Sequence, residues 1–138
     1  MTLFVRRAEP RTLYDVVCDA SSALVIREYS SSFGLASRLL AEPVRSQVRN
    51  VYALVRVADE VVDNPDPAIG TESRDRMLTW LEDDVRHALA VGYSANPVVH
   101  AFARTAGEVG ITMDVVEPFF ASMRAEDRKS TRLNSSHT

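Results

Sequence analysis

Apolar residues recur at helical spacing along almost the whole chain, and no stretch shows the strict apolar–polar alternation of a β-strand. Proline, glycine and small polar residues divide this pattern into six segments. The sequence therefore predicts an all-α fold. In the first segment the recurring apolar residues fall on one helical face: Leu13, Val16, Val17, Ala20 and Leu24.

The predicted helices have recognisable boundaries. Serines in "YSSSFGLASRLL", residues 29–40, compete for backbone hydrogen bonds and should interrupt the helical pattern before a short apolar segment resumes. The third helix should end near Asp63, before the prolines of "NPDPAIG". Pro118 can kink the sixth helix. Pro43 suits the first turn of the third helix, and the expected caps are Thr71 for the fourth, Asn96, with Pro97 in the first turn, for the fifth, and Thr112 for the sixth.

Size and charge limit the function classes. A chain of 138 residues corresponds to about one domain, and its net charge of −3 gives no electrostatic reason to expect a nucleic acid partner. The single cysteine, Cys18, cannot close an intramolecular disulfide, and the amino terminus lacks the apolar core of a signal peptide. Apolar runs fall short of the roughly 20 residues that span a bilayer. A cytoplasmic protein is favoured, with any membrane contact peripheral.

A polar stripe runs along the third predicted helix, in "YALVRVADEVVD". Tyr52, Arg56, Asp59 and Asp63 are separated by four, three and four residues and so share one face, which should border a cavity. In one interpretation these charges form ordinary exposed helix pairs, worth about 0.3–0.5 kcal/mol each. In the other, the two carboxylates share Mg²⁺ and the arginine binds a phosphate group.

The stripe and the upstream serine-rich stretch together resemble the amino-terminal half of the squalene/phytoene synthase family. The family pattern is a serine-containing segment that ends in Ser-Phe, then a helix with Tyr, an Arg four residues later, and Asp-x-x-x-Asp. Weaker resemblance continues through "WLEDDVRHAL", "NPVVHAFARTA" and "VEPFFASMRAE". It implies an incomplete isoprenoid-synthase-type helical bundle. The matching residues are Ser32, Phe33, Tyr52, Arg56, Asp59 and Asp63.

The resemblance also implies a function. Such enzymes condense two prenyl diphosphates head to head, here geranylgeranyl or farnesyl diphosphate, to give a phytoene or squalene type of product. Mg²⁺ on Asp59 and Asp63, with Arg56 beside it, would stabilise the departing diphosphate. Tyr29 stands where some family members have histidine, which leaves its role open. The expected substrate-binding residues are Tyr29, Ser30, Ser31, Ser32, Phe33, Tyr52 and Arg56.

Residues outside these two motifs are expected to have structural roles. Family members carry a second acidic motif on a later helix. The acidic run "EDD" at 82–84 does not match that motif, and it should form a solvated helix face. His87 and His100 lack the spacing of a zinc pair and are expected at the surface or its boundary. Trp80, Phe119 and Phe120 should pack in the core. A non-catalytic helical fragment or partner-binding module remains the alternative function.

The last twelve residues differ in character from the rest. Residues 1–126 contain thirteen arginines and no lysine, whereas Lys129 lies in the tail "DRKSTRLNSSHT". Its first eleven residues are identical to the translation of a common short-read sequencing adapter. In the family an acidic residue, usually aspartate, follows an "SMR"-like run. If the adapter was joined after the first two bases of an aspartate codon, the resulting codon would read as glutamate, which would explain Glu126. We therefore expect residues 1–126 to be the amino-terminal part of a single all-α domain and residues 127–138 to be a non-native tail.

Overall fold

A computed structural model describes residues 11–29 and 31–136 of the chain, without the side chains of residues 29, 31, 33 and 130–136. These residues form six α-helices and no β-strand, which confirms the all-α prediction. None of the helices in the described residues is both long enough and apolar enough to cross a membrane. The helices are α1 Leu13–Tyr29, α2 Ser31–Ser37, α3 Val44–Asp63, α4 Thr71–Val91, α5 Pro97–Val109 and α6 Met113–Ser136.

Helix α5 lies at the centre of the bundle and packs against α1, α3 and α4, while α6 packs against α3 and α4. Many side chains at these contacts are alanine or valine, which let helix axes approach closely. Phe102 and Phe120 add two buried aromatic rings to this core. The core therefore lies on one side of α3. Its central members include Ala53, Leu54, Leu78, Val85, Val99, Phe102 and Phe120.

The predicted helix boundaries agree closely with the structure. Asn96 caps α5, because its side-chain oxygen accepts hydrogen bonds from the backbone N–H groups of Val98 and Val99 at 3.0 and 3.3 Å. Gly110 ends this helix with φ 84°, a left-handed conformation that favours glycine. The prediction for Thr71 is wrong by one residue: Gly70 is the cap of α4, and Thr71 is already helical.

Helix α1 does not bury its most apolar face. The side that contacts α3 and α5 carries Cys18, Ser22 and Ile26, all of which are buried. Leu13, the first residue of the apolar face, is 80% exposed. The periodicity identified the helix correctly but did not identify its buried side. The other large residues of that face, Val16, Val17 and Leu24, are also exposed.

Two further predictions about burial are corrected by the structure. Trp80, expected in the core, is 63% exposed, whereas Phe120 is buried and Phe119 partly buried as predicted. Glu82, expected on a solvated face, is buried, and its carboxylate accepts a 2.6 Å hydrogen bond from Arg124. Asp84 accepts a hydrogen bond of 2.9 Å from the Ser94 hydroxyl. These carboxylates hold α6 and the α4–α5 connection in place.

Candidate functional site

The polar stripe lies on the side of α3 that faces away from the core. Arg56 is two residues from both Leu54 and Ala58, which are buried, so its side chain projects from the opposite side of the helix. Tyr52, Arg56 and Asp59 are partly buried and Asp63 is exposed. The structure thus brings the four predicted residues onto one helical face. That this face borders a cavity stays a prediction.

Arg56 bridges two carboxylates on its own helix. Its guanidinium nitrogens lie 3.7 Å from Asp59 Oδ2 and 3.7 Å from Glu60 Oε1. These distances are those of ion pairs rather than of hydrogen bonds. Glu60 was not predicted as a site residue, although its i, i+4 spacing from Arg56 was visible in the sequence.

The charges around Asp59 resemble those of a cation site. Partial burial raises the pKa of Asp59, and the negative charges of Asp63 and Glu126 raise it further, against the opposing effect of Arg56. Glu126 belongs to α6, so a third carboxylate from a second helix acts on this site. Sequence reasoning gave Glu126 no role here, because the approach of α6 to α3 depends on tertiary packing.

The acidic residues of the stripe fit a magnesium ion that also binds substrate. Mg²⁺ typically takes one or two carboxylates from the protein and completes its shell with water and phosphate oxygens. Asp59 and Asp63 are four residues apart on one helix and supply two such carboxylates. Within residues 11–29 and 31–136, no group of three or more His, Cys, Asp or Glu side chains is placed to hold a metal ion by itself. A phosphate-bearing ligand would therefore have to share the ion.

Of the predicted substrate-binding segment, Tyr29 is the last residue of α1, and residues 31–33 begin α2, which contacts both α1 and α3. Ser32 is exposed there. Ser30 lies outside the described residues, as do the side chains of Tyr29, Ser31 and Phe33. Their predicted roles therefore stay predictions.

The contacts of His100 give this residue a structural role. His100, expected at the surface or its boundary, is buried and packs against the rings of Tyr14 and Tyr93. Its Nδ1 accepts a 3.2 Å hydrogen bond from the Ser94 N–H, so Nε2 carries the proton and donates a 2.7 Å hydrogen bond to Asp15 Oδ1. Both ring nitrogens are thus bound within the protein. His87 is exposed, as expected.

Comparison with protein families gives one match. The model of the squalene/phytoene synthase family matches residues 26–135, which is more than half of the chain and includes the polar stripe. The match also includes residues 127–135, so it does not separate the proposed tail from the rest. Searches of curated proteins and of solved structures gave no match.

Proposed function

The chain belongs to the squalene/phytoene synthase family, and we propose that its complete parent protein condenses two prenyl diphosphates head to head. The family is one of prenyltransferases that bind prenyl diphosphates and generally depend on Mg²⁺. The observation that supports the proposal for this chain is the stripe on α3, where Arg56, Asp59 and Asp63 share a face. An all-α scaffold presents these groups from a rigid helix, as a binding site requires.

The proposed chemistry is the departure of diphosphate from an allylic carbon. Arg56 supplies a planar array of N–H donors that can bind two oxygens of the diphosphate. Asp59 and Asp63 would hold Mg²⁺, which when bound would stabilise the charge that develops on the leaving group. Repulsion among Asp59, Asp63 and Glu126 makes this arrangement of charges costly, and a cation would relieve it.

The substrate and product are further proposals. Geranylgeranyl or farnesyl diphosphate would give a phytoene or squalene type of product, within isoprenoid or carotenoid biosynthesis. We place the protein in the cytoplasm, with peripheral membrane contact as its route to hydrocarbon substrates. The 138-residue chain itself is proposed to be inactive, because the family's second acidic motif has no match in it.

Alanine substitutions in the full-length parent test the metal assignment. Asp59→Ala and Asp63→Ala should each remove nearly all turnover of a radiolabelled prenyl diphosphate, because each removes one of two protein ligands. Arg56→Ala should weaken diphosphate binding. Asp66→Ala, in the exposed loop after α3, is the matched control and should keep activity. Wild-type turnover by either stripe variant at limiting Mg²⁺ would show that the assignment is wrong.

A further inference from the structure

A cavity of about 720 Å³ lies between the start of α1, the carboxyl-terminal halves of α4 and α5, and the start of α6. Its volume falls within the range of about 300–1,000 Å³ that is usual for small-molecule sites. Among the described residues, none in α2 or α3 lines it. The cavity is therefore separate from the polar stripe and from the predicted substrate-binding segment.

Small residues leave this space open. Ala88 and Ala103 contribute only methyl groups to the wall, and Gly92 and Gly107 contribute no side chain. A Cβ atom placed on either glycine would meet no atom within 4 Å outside its own helix and its chain neighbours. A ligand in this space would bury apolar surface, which favours binding. The larger apolar residues of the wall are Leu89, Ile111 and Met113.

An aromatic cluster forms one wall of the cavity. The ring centroids of Tyr14 and Tyr93 are 5.3 Å apart, and both rings pack edge-to-face against His100. The Tyr14 hydroxyl donates a 2.6 Å hydrogen bond to the Ser94 carbonyl oxygen, which fixes that ring. Tyr93 lines the cavity and is 56% exposed, so its ring remains accessible to a ligand. Aromatic rings pack favourably at centroid distances of about 4.5–7 Å, so this wall suits a planar ring.

Arg104, which lines the same cavity, has a hydrogen-bond donor that no described residue uses. Its Nη1 lies 3.1 Å from Asp15 Oδ2 and forms an ion pair, but this buried nitrogen donates no hydrogen bond to a described residue. Asp15 already accepts hydrogen bonds from the Thr12 N–H and from His100. A buried donor without an acceptor costs stability, so a ligand oxygen that accepts this hydrogen bond would bind favourably. A carbonyl oxygen is such an acceptor.

The charges around the cavity favour an uncharged ligand. Arg86 is already paired with Glu117 at 3.0 Å. An anionic ligand beside Arg104 would also lie near the Asp15 carboxylate, and the repulsion would offset the attraction. The described charged residues that line the cavity are two arginines and two carboxylates, Arg86, Arg104, Asp15 and Glu108, so the lining has no excess of either sign.

We propose that this cavity binds an uncharged, planar aromatic compound that carries a carbonyl group. The carbonyl oxygen accepts a hydrogen bond from Arg104, and the ring packs against Tyr93. The site shares no described residue with the polar stripe, so it depends neither on Mg²⁺ nor on the proposed condensation reaction.

Titration of the 138-residue chain with naphthalene-2-carboxamide, followed by two-dimensional NMR of the backbone amides, tests the site. Gly92 and Gly107 line the cavity and should show saturable shifts, whereas Gly34 and Gly70 lie outside it and should not. Arg104→Met keeps the apolar stem but removes the donors, and it should weaken binding by about tenfold. The anion 2-naphthoate has the same ring system and should also bind about tenfold less tightly than the carboxamide.

Gly107→Leu separates binding in the cavity from binding elsewhere. The leucine side chain would occupy the cavity, and leucine is a better helix former than glycine within α5, so binding should be lost while circular dichroism shows no loss of helicity. Ala121→Leu adds the same side chain at an exposed position of α6 outside the cavity and should bind like the unaltered chain. The proposal is overturned if the carboxamide causes no saturable shift at Gly92, if Gly107→Leu binds it with unchanged affinity, or if 2-naphthoate binds more tightly.

Discussion

At the scale of single residues, Asp15 connects the start of α1 with α5. Its carboxylate accepts hydrogen bonds from the Thr12 N–H at 2.9 Å and from His100, and it lies 3.1 Å from Arg104. Burial alone would raise the pKa of Asp15, but these contacts lower it below its ordinary value of 3.8. The ionised carboxylate therefore stabilises the folded state.

Replacing Asp15 by Asn should destabilise the protein in a pH-dependent way. We expect a loss of about 2 kcal/mol in the free energy of unfolding at pH 7, because hydrogen bonds to a charged group are lost. The pKa of Asp15 is lower in the folded state than in the unfolded chain. Its ionised carboxylate therefore stabilises the protein above pH 3.8, and this stability disappears as the pH falls through the folded-state pKa. Urea denaturation at pH 7, 5 and 3 measures this. Asp83→Asn, at an exposed position of α4, is the control, and an equal loss at pH 3 and pH 7 would contradict the account.

Asp127 is a buried carboxylate with poor compensation. It is 1% exposed, neither oxygen accepts a hydrogen bond from a described residue, and its closest cation is Arg74 at 3.9 Å. Burial raises the pKa of Asp127 despite the attraction to Arg74, so the charged form costs stability above that pKa. The position is one that an apolar side chain would suit better.

Asp127→Leu should therefore raise the free energy of unfolding by about 1–2 kcal/mol at pH 7. Arg74 keeps a 2.8 Å hydrogen bond to the Asn64 carbonyl oxygen in this variant. Asp127→Asn should give a smaller gain, and the advantage of both should shrink as the pH falls and Asp127 becomes protonated. Thermal unfolding measures the change, with exposed Lys129→Leu as the control. A lower melting temperature for Asp127→Leu would mean that the ion pair outweighs the cost of burial.

The sequence predicted those site residues that lie close together along one helix. Arg56, Asp59 and Asp63 follow the helical repeat, so their shared face can be inferred from spacing alone. The effect of Glu126 on Asp59 cannot be inferred from spacing, because it depends on how α6 packs against α3. The contact between Asp15 and His100 joins residues 85 apart in the chain, and no local pattern indicates it.

At the scale of secondary structure, helix ends with specific chemistry were the most predictable feature. Asn96 followed by proline identified the start of α5, because the side chain satisfies two backbone donors that have no helical partner. The buried side of α1 was not predictable in the same way. Small residues such as Cys18 and Ser22 allow close packing there, whereas hydropathy alone favours the side with Leu13 and Val17.

Asn96→Ala tests the importance of this cap. The substitution should lower the free energy of unfolding by about 1 kcal/mol, because the N–H groups of Val98 and Val99 lose their acceptor in a partly buried setting. Asn96→Ser keeps an oxygen acceptor and should retain most of the stability. Chemical denaturation compares the two variants with the parent chain. Equal stability of the alanine and serine variants would show that the cap contributes little.

At the scale of the whole molecule, exposed apolar residues favour self-association. The outer face of α1 includes Leu13 and Leu24, and the turn after α2 adds Leu39, which is 89% exposed. Exposed large apolar side chains become a cause of association or aggregation where they lie together on one surface. We therefore expect the 138-residue chain to be catalytically silent, marginally stable and prone to associate.

Leu13→Gln combined with Leu24→Gln should make the chain more monomeric. Size-exclusion chromatography with light scattering, over a range of protein concentrations, measures the change. Glu28→Gln on the same helix removes no apolar area and should leave association unchanged. Turnover of a radiolabelled prenyl diphosphate by the unaltered, monomeric chain would contradict the proposal that it is inactive.

The proposed non-native tail also concerns the molecule as a whole, and one physical observation favours it. Position 127 is buried, and no described residue donates a hydrogen bond to its carboxylate, as expected where a natural apolar residue has been replaced. Long-read sequencing of the locus should therefore show an aspartate codon at 126 and a different coding sequence after it, leading to the second acidic motif. A genome that encodes Lys129 to His137 in frame, followed by a stop codon, would refute the proposal, and the buried charge of Asp127 would then be a property of the natural protein.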